Sequence, residues 1–346
     1  MPYDSIYEYV KTFEKDMTVL LCKKKANCRL VNSIPKEVTI LDEDNLTFLP
    51  KSIKNPVEVE NERIAHIKDG VALTKFICWL KKNVGKIPIT ELSAGEKLYS
   101  FRAQQENFID NSFDPIISYG IHAAINHYSA TPETDIAIEP GNFLLADTGG
   151  HYYEGTTDTT RTIVMGSVND EQKKYFTAVL RGMLNLGNAK FRYGCTGVNL
   201  DYLARGPLWE MGQDFNHGTG HGVGYLLNVH EGPNSFRWRI IQGDNAVLEE
   251  GMITSDEPGY YVENQYGIRH ENLLVCKKAE KTSFGQFMCF EHLTMVPFDL
   301  DAVVPELMTM QERALLNSYH AQVYKKISPY LEEEEKEWLK EATREI

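Results

Sequence analysis

The sequence of 346 residues contains no run that approaches the ~20 consecutive apolar residues of a membrane-spanning helix. Its opening stretch, MPYDSIYEYVK, also lacks the apolar segment of a secretory leader. Basic residues are outnumbered, with 36 Lys and Arg against 49 Asp and Glu and a formal net charge of -13. This charge disfavours nucleic acid as a partner, because binding to phosphates requires clustered lysine and arginine. We therefore expect a cytoplasmic protein that binds neither a membrane nor nucleic acid.

Cysteine is sparse and irregularly spaced. No Cys-x-x-Cys pair occurs among the six cysteines, which are Cys22, Cys28, Cys78, Cys195, Cys276 and Cys289. A chain of this length can bury a core without disulfide bonds, which small secreted domains need. The spacing therefore favours reduced thiols in an intracellular compartment over a disulfide framework.

The beginning of the chain carries too few secondary-structure signals for a domain of its own. SIYEYVKTF has the pattern of a short helix, and TVLLC and VTIL have the pattern of brief strands. We interpret residues 1–54 as the remnant of a preceding α/β domain. A boundary follows where Asn55, Pro56 and Glu58 form a capping-box pattern that starts a helix. Residues 55–346 are predicted to form the main domain, with a helical tail from residue 308.

Within the main domain, one order of elements occurs twice. Helices are predicted over 55–83 and 93–108 and strands within 116–165; helices then follow over 170–192 and 199–211 and strands within 215–297. Ser93 and Glu96 supply the capping signal of the second helix. The repetition predicts an α+β fold of two similar halves, whose sheets join and whose helices cover one side.

Five residues lie in segments that resemble neither ordinary core nor ordinary surface. They are Asp147 in LLADTGG, Asp158 in TTDTTRT, His221 in HGTGHGVG, Glu257 in SDEPGYY and Glu271 in GIRHEN. Asp147 ends an apolar strand, where a buried carboxylate is costly unless it is paired or bound to metal. Four carboxylates and one imidazole form a hard, oxygen-rich ligand set that can hold two divalent cations. The pattern predicts a metal site shared between the two halves.

Each motif has a simpler explanation when it is taken alone. Asp147 could cap a turn, Asp158 could lie on the surface, and Arg269 could form a surface salt bridge with Glu271. Arg269 and Glu271 are two apart on a predicted strand and therefore share a face, where the guanidinium can orient the carboxylate or a substrate carbonyl. The occurrence of all five motifs in one chain favours the metal site over these separate explanations.

Three familiar motifs are incomplete here. Asp-Thr-Gly is typical of aspartic proteases, but the second copy, at 158–160, lacks the glycine. HGTGHGVG lacks the Lys-Ser/Thr of a phosphate-binding loop, and His230-Glu231 has no second histidine at HExxH spacing. The glycines of HGTGHGVG instead allow the backbone to approach a site closely and to present His217 and His221.

The order DTGG, DTTRT, HGTGHGVG, DEPGYY and GIRHEN resembles the metal-dependent Xaa-Pro aminopeptidases, also called aminopeptidase P. The similarity runs from about residue 55 to the C-terminus and includes INHYSATPET and LNVHEGP. The resemblance implies the pita-bread fold, a pseudo-symmetric α+β domain shared with methionine aminopeptidase, prolidase and creatinase. That fold agrees with the duplicated order of helices and strands.

The resemblance also implies roles for individual residues. Asp147 would bind one divalent metal ion, His221 and Glu257 the other, and Asp158 and Glu271 would bridge them. Manganese is typical of the family, and the ligand set does not exclude cobalt, iron or zinc.

Two further groups follow from the same resemblance. The catalytic residues would be Glu257, His127, His217 and His230, and the substrate-binding residues would be the same three histidines with Tyr261 and Arg269. Glu257 would carry a proton to the leaving proline nitrogen, and His217 or His230 would stabilise the oxyanion.

The implied reaction is hydrolysis of the N-terminal Xaa-Pro bond of peptides with proline at the second position, catalysed by a homodimer. Prolidase, which cleaves Xaa-Pro dipeptides only, is the alternative, and a non-catalytic binding module of the same fold is another. A binding module would be expected to lose ligands, and none is lost. Larger family members carry two further domains ahead of the catalytic one, and we expect residues 1–54 of this chain to correspond to the end of the middle domain.

Overall fold

The computed structural model describes residues 2–241 and 243–346. The chain divides into two compact units, Met1–Lys51 and Ser52–Ile346. The smaller unit contains α1 (Ile6–Val10), β1 (Thr18–Leu20), α2 (Cys28–Ser33) and β2 (Thr39–Leu41), and α3 (Phe48–Ser52) follows. Its two strands pair in parallel, and Val10, Ile34 and Val38 form its small core. The short helix and the two strands expected here are therefore confirmed.

Seven helices are described in the larger unit: α4 (Pro56–Asn83), α5 (Glu91–Arg102), α6 (Asp170–Gly187), α7 (Gly197–Leu200), α8 (Tyr202–Trp209), α9 (Met310–Ile327) and α10 (Glu333–Ala342). The Asn55 side chain accepts from the backbone N–H groups of Val57 and Glu58, as the capping-box pattern predicts. α5 begins earlier than expected, because Thr90 is its N-cap and Ser93 occupies the third helical position. α6 ends at Gly187 rather than continuing to 192.

The strands of the larger unit form short antiparallel sheets. Their bounds are β3 (Phe108–Asn111), β4 (Ile116–Tyr119), β5 (Asn142–Thr148), β6 (Gly150–Tyr152), β7 (Gly155–Thr156), β8 (Thr159–Met165), β9 (Lys190–Arg192), β10 (Gly220–His221), β11 (Ser235–Phe236), β12 (Ile253–Asp256), β13 (Gly259–Val262), β14 (Tyr266–Arg269), β15 (Asn272–Thr282) and β16 (Gly285–His292). The sheet orders are β4-β5-β8, β3-β6-β7, β12-β15-β16-β9, β13-β14 and β10-β11. Helices and antiparallel strands together confirm the predicted α+β class.

Apolar side chains cover both faces of the sheet formed by β4, β5 and β8. Phe143 and Val164 pack with α6, where Phe176 is fully buried. Leu144 and Ile163, one position along each strand, pack on the other face with α4 and α5. This alternation follows from the two-residue period of a strand, and burial on both faces explains the continuous apolar run before Asp147.

The two halves of the larger unit meet along β8. The Glu271 N–H donates to the Thr160 carbonyl at 3.1 Å, and the Thr162 hydroxyl both accepts from the Arg269 N–H and donates to its carbonyl at 3.0 Å. β8 thus brings Asp158 of the first half next to Glu271 of the second. Among the residues described, no helix has the length and apolar character needed to cross a bilayer.

Candidate metal centre

Asp147 and Asp158 meet where β5 ends and β8 begins. The two strands pair directly, with Asp147 opposite Thr160 and Thr148 opposite Thr159. The connection fits closely: a Cβ at Gly149 would lie 2.0 Å from the Thr157 carbonyl oxygen. Both carboxylates line one cavity. The Oδ1 atom of each is buried without a hydrogen-bond partner among the described residues.

His221 and Glu257 reach the same cavity from the second half. The His221 N–H donates to Ser255 Oγ at 2.9 Å, and the Glu257 N–H donates to the Thr219 carbonyl at 2.8 Å. Only glycine fits between these segments, because a Cβ at Gly220 would lie 1.8 Å from the Ser255 carbonyl oxygen. The glycine-rich segment therefore allows the close approach predicted for it.

The cavity has a volume of about 650 Å³ and gathers nearly all the predicted site residues. Its lining includes His127, Asp147, Asp158, His217, His221, His230, Glu257, Arg269 and Glu271. Tyr261 lies beside it, bonded to His217 and Arg269. One ligand atom each from Asp158, His221 and Glu271 lies within 4.8 Å of the others. Residues from seven separate segments thus converge on one place.

The tautomer of His221 follows from its partners. Its Nδ1 lies 3.0 Å from the Gly222 carbonyl, which can only accept, so Nδ1 carries the proton. In the neutral ring Nε2 then carries the free lone pair, and this atom faces Asp158 Oδ2 at 3.4 Å and Glu257 Oε1 at 3.6 Å. A lone pair among carboxylate oxygens is repelled unless a proton or a cation lies between them.

The acidity of the cluster points the same way. Burial raises the pKa of Glu257 to about 7, against the opposing charges of His221 and Arg269. Burial and repulsion from Asp158 and Glu257 raise the pKa of Glu271 well above its usual value. Burial lowers the pKa of His221, but Asp158 and Glu257 outweigh it and raise that pKa to about 9. The raised pKa values show that the cluster needs positive charge, which protons supply when no metal is bound. Divalent cations can supply the same charge, and the oxygen-rich donor set fits them.

Arg269, Tyr261 and His217 form a hydrogen-bonded chain beside the cluster. Arg269 Nη1 donates to the Tyr261 hydroxyl at 2.7 Å, so the phenol proton is directed to His217 Nε2, 2.9 Å away. His217 Nδ1 donates to the Gly218 carbonyl at 2.8 Å. Arg269 Nη2 also donates to Asp147. Burial, with the Arg269 charge, lowers the pKa of His217 to about 3, so the ring is neutral and both nitrogens are engaged.

His230 differs from His217 in its surroundings. No hydrogen bond joins its side chain to another described residue, and its ring meets that of His221 edge to face at a centroid distance of 4.1 Å. Burial, with the His221 charge, lowers the pKa of His230 to about 4. Its neutral ring therefore retains an N–H that can face a ligand. His127 also lines the cavity and lies in the exposed turn that follows residues 120–124.

Sequence reasoning missed the buried side chains behind the cavity. Thr160 donates to Glu271 Oε2 at 2.8 Å and Ser255 donates to Glu257 Oε1 at 3.2 Å. Arg205 and Asp201, both fully buried, hold the segment that carries His217. One signal was available, since Asp201 and Arg205 form an i, i+4 pair of opposite charge in the otherwise apolar stretch DYLARGPLW.

Comparisons with known proteins give relatives along the whole chain. The chain is 43% identical over 303 residues to "Probable Xaa-Pro aminopeptidase P" of Paracoccidioides brasiliensis (strain Pb03), covering 86% of this chain and 49% of the relative. It is 39% identical over 322 residues to "Aminopeptidase P1" of Arabidopsis thaliana, covering 86% and 50%. The chain thus spans about half the length of these curated relatives. The resemblance to aminopeptidase P is confirmed.

Solved structures agree with the fold. The X-prolyl aminopeptidase of Caenorhabditis elegans, described as a cytosolic enzyme with a di-nuclear active site, matches with a TM-score of 0.92 and 34% identity, covering 100% of this chain and 58% of that one. The prolidase of Pyrococcus furiosus matches with a TM-score of 0.65 and 26% identity, covering 84% and 79%. These likenesses confirm the predicted pita-bread fold.

Two family descriptions match consecutive parts of the chain. "Metallopeptidase family M24" matches residues 60–278, and "C-terminal region of peptidase_M24" matches residues 286–346. The first match covers more than half of the chain and includes all the predicted ligand residues. The chain belongs to metallopeptidase family M24.

Proposed function

We propose that this chain is the catalytic part of a dinuclear-metal exopeptidase that hydrolyses the N-terminal Xaa-Pro bond of peptides and releases the first residue. The observation that carries the proposal is the cluster of Asp158, His221 and Glu271, with unpartnered oxygens on Asp147 and Asp158. The names of the relatives support proline specificity, and the di-nuclear active site named for the C. elegans enzyme supports two metal ions.

Asp147, Asp158, His221, Glu257 and Glu271 would hold two divalent cations, and the carboxylate-rich donor set favours Mn²⁺. When bound, the cations would lower the pKa of a shared water and polarise the scissile carbonyl. Thr160 and Ser255 fix the carboxylates of Glu271 and Glu257 by hydrogen bonds, which limits how far either can turn away.

Glu257 would take a proton from the attacking water and pass it to the leaving proline nitrogen. Its carboxylate lies in the cavity, and its backbone is tied to the His217 segment through Thr219. We assign stabilisation of the oxyanion to His230, which has an N–H to donate, because both nitrogens of His217 are engaged. His217 would instead pack against the substrate.

His127, His217 and His230 would bind substrate together with Tyr261 and Arg269. The Arg269 guanidinium fixes both the Tyr261 hydroxyl and Asp147, so it couples the substrate wall to a metal ligand. A proline after the scissile bond has no N–H to donate, so recognition would rest on the shape of this wall.

Four finer points belong to the same proposal: a homodimer, a cytoplasmic location, absence of nucleic-acid and membrane partners, and residues 1–54 as the remnant of a preceding domain, with 55–346 as the catalytic domain. The division into compact units at residues 51 and 52 supports the domain boundary, and the cytosolic C. elegans relative supports the location. Sedimentation of the purified chain would test the dimer.

The decisive experiment compares substrates. We expect the manganese-loaded chain to release the first residue of Arg-Pro-Pro, and metal analysis before loading to find about two ions per chain. Turnover confined to Gly-Pro would favour prolidase, and an absence of both turnover and metal would favour the non-catalytic binding module.

A further inference from the structure

Arg205 lies fully buried in α8, outside the cavity, and its guanidinium is directed at the segment that carries His217. Nη1 donates to Asp214 Oδ1 at 2.6 Å and to the Phe215 carbonyl at 2.7 Å. Nη2 donates to the carbonyl of His217 itself at 2.9 Å. One arginine therefore fixes two carbonyls of a segment that has no regular secondary structure of its own.

Asp201 holds the same segment on the other side of His217. Its Oδ2 accepts from Arg205 Nε at 2.7 Å, and its Oδ1 accepts from the Thr219 hydroxyl at 2.6 Å. Thr219 in turn accepts, through its carbonyl, from the Glu257 N–H. Arg205 and Asp201 thus bond to the chain at His217 and at Thr219, the residue that contacts the Glu257 turn.

A stack of flat groups adds a second form of contact. The Arg205 guanidinium lies 3.8 Å from the centroid of the Phe215 ring, and the Phe215 and His217 rings are 4.8 Å apart between centroids. Tyr261 holds the far side of His217 through Nε2. The His217 ring is therefore confined from both sides, which restricts the rotation that an unsupported surface histidine would have.

We propose that Arg205 and Asp201 are positioning residues that hold the His217 ring in the one orientation able to pack against the residue after the scissile bond. The inference rests on the proposed function and deepens it by naming what fixes the proline-binding wall. A buried ion pair is a poor means of adding stability, since desolvation offsets much of its attraction. The hydrogen bonds of this pair to the His217 segment instead fix the position of that segment. The Arg205 charge also adds to the forces that keep His217 neutral.

The test uses the manganese-loaded full chain with Arg205→Lys, which keeps the charge and removes the planar fork, and Thr219→Val, which removes one hydroxyl and leaves the ion pair. Arg181→Lys is the matched control, because Arg181 forms a comparable pair with Glu312 between α6 and α9.

For Arg205→Lys we expect kcat/KM on Arg-Pro-Pro to fall by about 10- to 100-fold, mainly through KM, with unchanged metal content. The preference for Arg-Pro-Pro over Arg-Ala-Pro should also shrink. Thr219→Val should change the same quantities less, and Arg181→Lys should leave them unchanged.

Nitrogen NMR of labelled histidine gives a readout that does not depend on activity. The His217 signal, assigned by its loss in His217→Gln, should show the Nδ1–H tautomer in the native chain and in Arg181→Lys. It should shift toward mixed tautomers in Arg205→Lys, or in Thr219→Val if the first variant does not fold. An unchanged tautomer with unchanged KM in a folded variant overturns the proposal. If the native chain cleaves no Xaa-Pro peptide, the proposed function fails, and the NMR result still decides whether the pair positions His217.

Discussion

His221 Nε2 faces Asp158 Oδ2 at 3.4 Å with no hydrogen-bond donor assigned between them, since the ring proton of the neutral form is on Nδ1. The contact is favourable in only two situations: a second proton charges the ring, or a cation takes the place of that proton. Without metal, the raised pKa of His221, about 9, reflects the first situation. The stability of the metal-free chain should therefore depend on pH.

We expect metal-free protein to lose stability as the pH rises from about 6.5 to about 9, measured by urea unfolding in the presence of a chelator. The folded pKa of His221 lies above the usual 6.5, so its contribution is complete below 6.5 and is lost as the pH rises through 9. Histidines with depressed pKa values, such as the half-buried His217 and the exposed His230, matter only below 6.5, because above it they are neutral whether folded or unfolded. Excess Mn²⁺ should remove the decline, and metal-free His221→Gln should show less of it; an equal slope in that variant would contradict the assignment.

Sequence patterns singled out the proposed ligand residues because each stands in a locally unusual setting. Asp147 ends a strand that is buried on both faces, and His221 lies among glycines that allow contact with Ser255. The sequence could not show the pairing that brings them together. The start of α5 was misjudged for a similar reason: two overlapping capping patterns exist, and a distant carboxylate, Asp135, satisfies the Leu92 N–H and favours the earlier one.

Gly220 tests whether close backbone approach is a requirement of the site. Gly220→Ala would place a methyl group 1.8 Å from the Ser255 carbonyl oxygen, so we expect destabilisation by about 3 kcal/mol or more and loss of activity. Gly206→Ala is the matched control, because the nearest atom to its Cβ is 3.6 Å away and it lies in α8. That substitution should be neutral or stabilise by up to about 1 kcal/mol. Thermal unfolding of both variants decides the matter.

Asp158 has one oxygen without a partner, so replacing it should affect metal more than folding. We expect Asp158→Asn to lose at least one ion per chain, measured by metal analysis after dialysis, because an amide is a neutral and weaker ligand. The metal-free variant should be no less stable than the native chain, because burial and the Asp147 charge outweigh the favourable contact with His221 and raise the pKa of Asp158. Glu249→Gln, which changes a surface carboxylate bonded to Tyr193, controls for net charge. Full retention of both ions in Asp158→Asn would exclude it as a bridging ligand.

The end of α6 and the surroundings of His217 show where local patterns fail. The helical pattern was extended to residue 192, but residues 190–192 pair with β16, nearly a hundred positions away. Only glycine fits at the last helical residue, because a Cβ at Gly187 would lie 2.4 Å from the His292 ring. Arg205 had the sequence appearance of an ordinary helical charge, because its i, i+4 pairing with Asp201 is as typical of a solvated helix face as of the buried pair that the structure shows.

Tyr261 connects Arg269 to His217, so Tyr261→Phe should weaken catalysis without altering metal binding. Loss of one buried hydrogen-bonding group corresponds to about 1–2 kcal/mol, and we expect kcat/KM on Arg-Pro-Pro to fall by about 5- to 30-fold. Tyr260→Phe, on the neighbouring residue that stacks on Tyr175, should have little effect. Equal losses in the two variants would mean that the chain of hydrogen bonds from Arg269 is not used.

Glu257 is the residue on which the proposed mechanism depends most. Glu257→Gln keeps the size of the side chain and its approach to Ser255, but an amide cannot accept and return a proton. We expect kcat to fall by about 10²- to 10⁴-fold, with KM changed far less. Because Glu257 is also a proposed ligand, the metal content of the variant must be measured in the same preparation. Glu257→Asp keeps the carboxylate but draws it back from the cavity, so its kcat should lie between those of the native chain and Glu257→Gln. Near-native turnover by a fully loaded Glu257→Gln chain would show that another group moves the proton.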